Sequence, residues 1–119
     1  MASTLQFIFR NVAVSNTAIL VRTGSNLLVG WNLINTNTTN SFLKLYNAAA
    51  AADVTVGTTA VVRTLLIPAS GTVFLSNEDK FQVGFSLGIV AAVVTGIADN
   101  NTTAPTIGCY VEILYNENT

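Results

Sequence analysis

Large apolar side chains occupy every second position in the stretch "KFQVGFSLGIVAAVVTGIAD", residues 80–99. Odd positions from Phe81 to Ile97 are mostly large and apolar, whereas even positions are mainly Gly, Ser, Ala and Val. The length of the stretch and the GxxxG spacing of Gly84 and Gly88 would also suit a membrane-spanning helix. A helix in lipid has no reason to sort its side chains with a period of two, which is the period of a pleated strand. The pattern therefore predicts strands with one buried face, divided by a bend near Gly88.

Short apolar runs separated by Asn, Thr, Ser and Gly clusters make up most of the remaining chain, and no stretch keeps a helical period. This pattern predicts an all-β protein, an antiparallel β-sandwich or jelly roll of about eight to ten strands. The predicted strands are residues 5–9, 17–22, 26–35, 41–47, 60–68, 72–76, 80–87, 88–98 and 108–116.

Alternation within single strands predicts which side chains face the core. Large apolar residues share one parity in the third predicted strand and again in the last one. The predicted inward-facing sets are Leu27, Val29, Trp31 and Leu33 in the former, and Cys109, Val111, Ile113 and Tyr115 in the latter.

The segment "NAAAAAD" is the one low-complexity piece of the chain. Its alanines, residues 48–52, are too few to hold a helix in water, so we predict a loop or a single turn. A smooth apolar loop can pack against a neighbouring subunit. We therefore predict an oligomer or capsid contact at Ala49, Ala50 and Ala51.

The composition is that of a charge-poor single domain, residues 1–119. Half of the residues are hydrophobic, while only 5 basic and 6 acidic residues are present. An ordinary soluble domain has about one quarter charged residues. Because an isolated monomer normally needs more surface charge than this, we expect other copies or a partner to cover part of the exterior. The few basic residues are scattered singly, which argues against direct partners among nucleic acids and anionic membranes.

The N-terminal stretch "MASTLQFIFRNVAVSN" has no positively charged region ahead of its apolar run, and Arg10 interrupts that run. It does not have the pattern of a secretory signal, so we expect synthesis and folding in a host cytoplasm. The single cysteine, Cys109, excludes an internal disulfide, and stability must come from packing and association.

The candidate chemistry is sparse. Histidine is absent, so the catalytic and zinc sites that depend on it lack their ligands and bases. Cys109 lies on the apolar parity of a strand, where a buried inert thiol is expected. The adjacent Glu78 and Asp79 are typical of a solvated turn. We therefore predict no enzyme activity, no catalytic residues and no cofactor.

Two further polar patterns have alternative interpretations. Oxygen atoms of Asp99, Asn100 and Asn101 in "ADNNTT" could bind calcium, but the spaced acids of a loop that encloses the ion are missing, so no metal site is predicted. The sequons at Asn37, Asn100 and Asn101 are interpreted as turn residues, because nothing indicates secretion.

Three aromatic residues, Trp31, Tyr46 and Tyr110, are candidates for a sugar-stacking platform. Large aromatics on alternating strands are more often core or interface anchors, and no convergent polar cluster accompanies these three. A glycan-binding β-sandwich module stays as an alternative function.

The order of several short motifs resembles a known group of proteins. A glycine-containing strand ending in an Asn turn is followed by "LKLYN", by "VGT", by a strand ending "IPASG", by "TGIADNNTT" and by a final strand. This order is similar to that of small tailed-phage virion proteins with a β-sandwich or jelly-roll fold. The resemblance covers about residues 17–115 and leaves the first fifteen residues outside it.

The resemblance implies a structural role in a virion. Such proteins occur as capsid decoration or cement proteins, and related sandwiches occur in tails and fibres. The expectation is a homotrimer on the outer capsid surface that contacts the major capsid protein, with a tail or fibre subunit as the alternative. Residues 1–15 are predicted to form an extra edge strand or an arm, with Phe7 and Phe9 as oligomer or capsid contacts.

Overall fold

The computed structural model describes residues 6–76 and 82–117, and within them every regular element is a β-strand except for one 3-10 turn. The prediction of an all-β fold with about eight to ten strands is confirmed. Within these ranges, no helix has the length and apolar character needed to cross a bilayer. The strands are β1 (Gln6–Val14), β2 (Ile19–Thr23), β3 (Asn26–Asn35), β4 (Ser41–Asn47), β5 (Arg63–Ile67), β6 (Gly71–Leu75), β7 (Val83–Phe85), β8 (Gly88–Val94) and β9 (Cys109–Glu117).

Two antiparallel sheets pack face to face. Sheet A has the order β1-β9-β3-β6, and β7 pairs with the first residues of β3; sheet B has the order β2-β8-β4-β5. The pairs are nested, since β1 lies beside β9, β2 beside β8, β3 beside β6 and β4 beside β5. A long hairpin rolled into two layers produces this nesting, which is the topology of a jelly roll.

The main core lies between the two sheets, and β9 shows how alternation builds it. Cys109, Val111, Ile113 and Tyr115 all point into this core, as their shared parity predicts. On β7 and β8 the odd positions do the same, with Phe85, Ile89, Ala91 and Val93 buried. The strand interpretation of this apolar stretch is therefore confirmed for residues 83–85 and 88–94. It is wrong for residues 95–98, which lie in the connection to β9, where Ile97 is 70% exposed.

Strand β8 differs from the expectation in one respect, because both of its faces are buried. Its even positions Val90 and Ala92 join Tyr46, Ala48 and Val54 in a second apolar cluster on the outer side of sheet B. The prediction of a single buried face is wrong here, because the chain between β4 and β5 folds back over the sheet.

A β-bulge corrects the predicted parity of β3. Leu28 pairs with Tyr115 and Gly30 with Leu114, so Val29 is an extra residue opposite one step of β9. Such a bulge moves the following side chains to the opposite face. Leu28, instead of Leu27, therefore shares the core with Trp31 and Leu33.

The bend predicted near Gly88 separates β7 in sheet A from β8 in sheet B. Gly88 has φ +154°, and a Cβ there would meet the carbonyl oxygens of Ala48 and Arg22. Asn47 fixes the segment that passes from sheet A to sheet B, since its Oδ1 accepts the Leu87 N–H at 2.8 Å. A glycine is thus required where the chain changes sheets.

The N-terminal prediction concerned an edge strand or an arm. The structure places Gln6–Val14 as β1 at the edge of sheet A, paired antiparallel with β9 of the same chain. Residues 1–5 of the predicted arm lie outside the described residues.

Candidate interaction surface

The outer faces of the two sheets are covered to different degrees. Sheet B is overlaid by the chain between β4 and β5, whose Val54, Val56 and Val61 pack in the second apolar cluster. Its alanine segment forms a single 3-10 turn at Ala51–Asp53, which confirms the predicted loop or turn. The outer face of sheet A has no such second cluster among the described residues.

The predicted alanine contact lies on this overlay. Ala49 is exposed, and Ala50 and Ala51 are partly exposed, whereas Ala48 is buried under them. The segment is therefore accessible to a partner, and its role as an oligomer or capsid contact stays a prediction.

Exposed large apolar side chains concentrate on or next to the strands at the edges of the two sheets, and in connections. The central strands β3, β4, β8 and β9 contribute none of them within the described ranges. On or next to the edge strands β1, β2, β5 and β6 lie Ile8, Val12, Leu20, Val62, Leu66 and Phe74, and in connections lie Leu87, Ile97 and Ile107.

The core itself is incompletely closed at the edges of the two sheets. Several partly buried apolar residues pack against its margin, and all of them belong to strands at the ends of the sheets or to β7. These marginal residues are Phe7, Phe9, Ile19, Val73, Leu75 and Val83. Each retains apolar area that another molecule would remove from water, which is favourable by about 25 cal/mol per Å².

The two predicted contacts on β1 belong to this margin. Phe7 and Phe9 point inward, and the Phe7 ring stacks on Tyr115 with 5.6 Å between centroids. The side chains that β1 turns outward include Ile8 and Val12, which are 58% and 57% exposed. A contact through Phe7 and Phe9 stays a prediction. Sequence analysis did not select Ile8 and Val12, although strand alternation places them on the outer face once Phe7 and Phe9 are known to face the core.

Two opposite charges and a phenol form a small cluster on the outer face of sheet A. Arg10 Nε donates to the Tyr110 hydroxyl at 3.3 Å, and that hydroxyl donates to Glu112 Oε2 at 3.1 Å. The Arg10 guanidinium also lies 5.4 Å from the Tyr110 ring centroid. The two charges offset each other, so this face presents little net charge to a partner.

One end of the sandwich is held together by two buried asparagines, Asn35 at the end of a predicted strand and Asn37 in the predicted turn that follows it. Asn37 Nδ2 donates to Asn35 Oδ1 and to the Ile107 carbonyl, both at 2.8 Å, and Asn37 Oδ1 accepts the Ile107 N–H at 2.8 Å. Asn35 Nδ2 donates to the Ile67 carbonyl at 3.0 Å. Since Asn37 is only 6% exposed, its sequon is not accessible in the folded chain.

Two shallow clefts flank this asparagine pair, with volumes of about 290 and 260 Å³. Neither has a charged or aromatic side chain in its lining. The first is lined by Ile34, Asn35, Thr36, Ser70, Gly71 and Thr72, and the second by Thr36, Asn37, Thr38, Thr39, Thr106 and Ile107. Such a lining can hold water or a small neutral molecule, but it supplies no acid or base that could activate its serine and threonine hydroxyls.

The candidate calcium oxygens do not converge. Asn101 Oδ1 accepts the N–H groups of Gly96 and Thr103, each at 3.2 Å. The Asp99 carboxylate lies 3.9 Å from Lys44 Nζ. Within the described ranges, no group of three or more His, Cys, Asp or Glu residues is arranged to hold a metal ion.

The aromatic platform of the glycan-binding alternative does not form. Trp31 lies in the main core between the sheets, whereas Tyr46 is fully buried in the second cluster on the far side of sheet B. Tyr110 alone of the three is partly exposed. These side chains therefore share no surface on which a sugar ring could stack.

Cys109 is fully buried in the core. Burial raises the pKa of its thiol above the usual 9.0, and the nearby Ser41 hydroxyl acts in the opposite direction. A reactive cysteine needs a lowered pKa and access to solvent, so this side chain is placed for packing.

Lys44 is a buried cation, 1% exposed, at the outer side of sheet B. Its Nζ donates to the Ile97 carbonyl at 2.6 Å and to the Ala98 carbonyl at 3.1 Å, which ties the connection between β8 and β9 to the sheet. Burial lowers the pKa of Lys44 below 10.5, and the Asp99 carboxylate partly offsets this shift.

This lowered pKa gives a testable pH dependence. In alkaline solution the unfolded chain keeps a proton on Lys44 that the folded chain has released, so stability rises with pH until the unfolded pKa of 10.5 is reached. We expect the free energy of unfolding of the native chain, relative to Lys44→Met, to increase between the lowered pKa of folded Lys44 and pH 10.5 in urea titrations. Asp99→Asn should strengthen the trend. A difference that stays constant or falls with pH would contradict the assignment.

Comparisons with known proteins give no information on the function of this surface. No protein-family model matches the chain, and no curated protein does so. Among solved structures, the chain is similar to one described as "Crystal structure of PirA", with 12% sequence identity over 98% of this chain and 95% of that chain and a TM-score of 0.34. A similarity at this level carries no argument about function, and the jelly-roll topology stands on the strand pairing itself.

Proposed function

We propose that the chain is a non-enzymatic structural protein of a phage virion, a capsid decoration or cement protein. It self-associates, as a homotrimer, on the outer capsid surface and bridges neighbouring capsomers of the major capsid protein. The motif order from the third strand to the last supports the virion assignment. The observation that carries the proposal is the concentration of exposed apolar side chains on the edge strands of a charge-poor sandwich.

The proposed mechanism is multivalent attachment. A trimer that contacts several shell subunits holds each further contact at a high effective concentration once the first has formed. Individually weak contacts then suffice to resist separation of the capsomers. The described surface suits this mode, because it offers apolar sides without a deep ligand cleft.

The same surface would also serve a tail or fibre subunit, so localisation decides between the two. The purified chain should bind capsids of the parent virus that were assembled without it, and should raise the temperature at which those capsids release DNA. Gold-labelled chain should lie on the shell in electron micrographs. Labelling of the tail alone would move the proposal to the tail, and absence from the particle would overturn it.

A double variant on the edge strands β1 and β6 tests the proposed self-association. Ile8→Lys combined with Phe74→Lys should lower the oligomer to a monomer in light scattering, because each change places a charge on an exposed apolar side. Ile97→Lys is the matched control, since Ile97 is 70% exposed but lies in a connection away from the edge strands. If the native chain is already a monomer at high concentration, the proposed self-association is wrong.

A further inference from the structure

We infer that copies of this chain join head to tail, with the β1 edge of one copy paired with the β6 edge of the next, so that sheet A continues between subunits. The inference rests on the self-association in the proposed function and specifies its surface. The partner is a second copy of this chain.

The first argument comes from the margin of the core. Phe7 and Phe9 at the β1 edge, and Val73 and Leu75 at the β6 edge, are partly buried against the core from opposite ends of sheet A. A head-to-tail contact places one pair beside the other and removes both from water. Every copy then covers the core margin at both ends of sheet A.

The second argument comes from strand direction. Each neighbouring pair in the order β1-β9-β3-β6 is antiparallel, so β1 and β6 run in opposite directions. Rotation of a copy about an axis parallel to the strands therefore brings its β1 alongside the neighbouring β6 as an antiparallel pair. A heterologous contact of this kind closes into a ring when the rotation closes, as a trimer requires.

The third argument comes from edge chemistry. β6 reads "GTVFL", with neither charge nor proline, and Phe74 on it is 63% exposed. Natural edge strands usually carry a charge or proline that blocks pairing with another chain. β6 lacks both devices, and its outer edge is unpaired within the described chain. β1 does carry a charge, Arg10, but pairing with the uncharged β6 places no like charge opposite it.

Symmetric pairing of like edges is less favourable. Arg10 lies at the centre of β1, so antiparallel pairing of two β1 strands over their full length would place two Arg10 side chains opposite each other. Pairing of two β6 strands would avoid this charge repulsion, but it would leave Phe7 and Phe9 of both copies half-exposed. Only the head-to-tail arrangement covers both edges of each copy.

The available surface is sufficient for such a contact. A standard interface covers about 800 Å² on each partner, which is roughly one eighth of the 6105 Å² accessible surface of this chain. On the outer face of the continued sheet, Ile8 and Val12 of one copy would lie near Phe74 of the next.

Cysteine crosslinking tests the inference, because the native Cys109 is buried and unreactive in the folded chain. Ile8→Cys and Phe74→Cys chains, carrying different tags, are mixed, allowed to exchange and treated with a short bis-maleimide. We expect mixed crosslinks in at least tenfold excess over those formed by either variant alone. The double variant should give a ladder that ends at the trimer. Ile8→Cys mixed with Leu66→Cys is the control, since Leu66 lies on the outer side of sheet B.

The outcomes separate this inference from the function on which it rests. Strong crosslinking of Ile8→Cys with itself would establish symmetric β1 pairing and overturn the head-to-tail contact. An oligomer in light scattering without the mixed crosslink would also overturn it, while leaving self-association intact. A chain that stays monomeric would overturn both.

Discussion

Replacement of Asn37 by Asp is expected to lower the free energy of unfolding by about 3–5 kcal/mol at neutral pH. The side chains are nearly equal in size, but the carboxylate has no N–H to donate. Two buried oxygens, Asn35 Oδ1 and the Ile107 carbonyl, lose a donor at 2.8 Å and face a negative charge instead. Because the connections β3–β4 and β8–β9 meet here, the loss should appear as a lower urea midpoint of the whole domain.

Asn40→Asp is the matched control for this prediction. Asn40 lies in the same connection and is exposed, and its Oδ1 accepts the Ala69 N–H at 3.0 Å, a role that a carboxylate keeps. We expect a change within about 0.5 kcal/mol for this variant. Similar losses in both variants would show that added charge, and not the lost donor, is responsible.

The pH dependence of Asn37→Asp supplies a further check. A buried carboxyl beside two oxygens is favoured in its protonated form, so its folded pKa should lie above its unfolded value of about 3.9. The loss in free energy of unfolding relative to the native chain should therefore be smallest at acidic pH. It should grow as pH rises from the unfolded pKa to the higher folded pKa. A penalty that is independent of pH would contradict the proposed charge burial.

Replacement of Gly88 by Ala is expected to cost roughly 3 kcal/mol or more. An alanine would have to adopt φ +154° and place its Cβ against the Ala48 and Arg22 carbonyl oxygens. Both oxygens belong to the backbone, so neither can move aside without shifting β2 or the residue that directly follows β4. For a domain of this size, the loss corresponds to a decrease of about 12 °C in the melting temperature, measurable by circular dichroism.

Gly84→Ala provides the comparison, since both glycines belong to the same GxxxG spacing. A Cβ at Gly84 would make one ordinary contact, 3.9 Å from Leu27 Cδ2. We expect this variant to match the native stability within about 0.5 kcal/mol. Equal and large losses at both positions would mean that the spacing acts as a unit, as in a helix pair, and would contradict the sheet crossing at Gly88.

Local periodicity was sufficient for most of the strand positions. The alternation in residues 109–115 identified the inward face of β9 correctly, because a regular antiparallel strand keeps its parity throughout. It failed at Val29, where a bulge inserted one residue and shifted the face from Leu27 to Leu28. A bulge is defined by the pairing with a partner strand, so the hydrophobic pattern of the single strand does not reveal it.

The candidate surface was harder to predict than the strands. Phe7 and Phe9 were singled out as apolar residues near the N-terminus, yet their accessibility depends on which strand ends the sheet. Asn35 was interpreted as the end of a strand and Asn37 as a turn residue, because the acceptors of their side chains are as far away in sequence as Ile67 and Ile107. Contacts over such separations require the strand order to be known.

The sequence by itself determined the all-β class, most of the strand positions and the scarcity of charge, since these follow from the side-chain period of two and from composition. Only the tertiary structure decided the nested strand order, the covered outer face of sheet B and the open edges of the two sheets. These features depend on pairing between residues as far apart as Gln6 and Asn116. The period of a strand specifies which face is apolar, but only the neighbouring strands decide whether that face is enclosed or left at an edge.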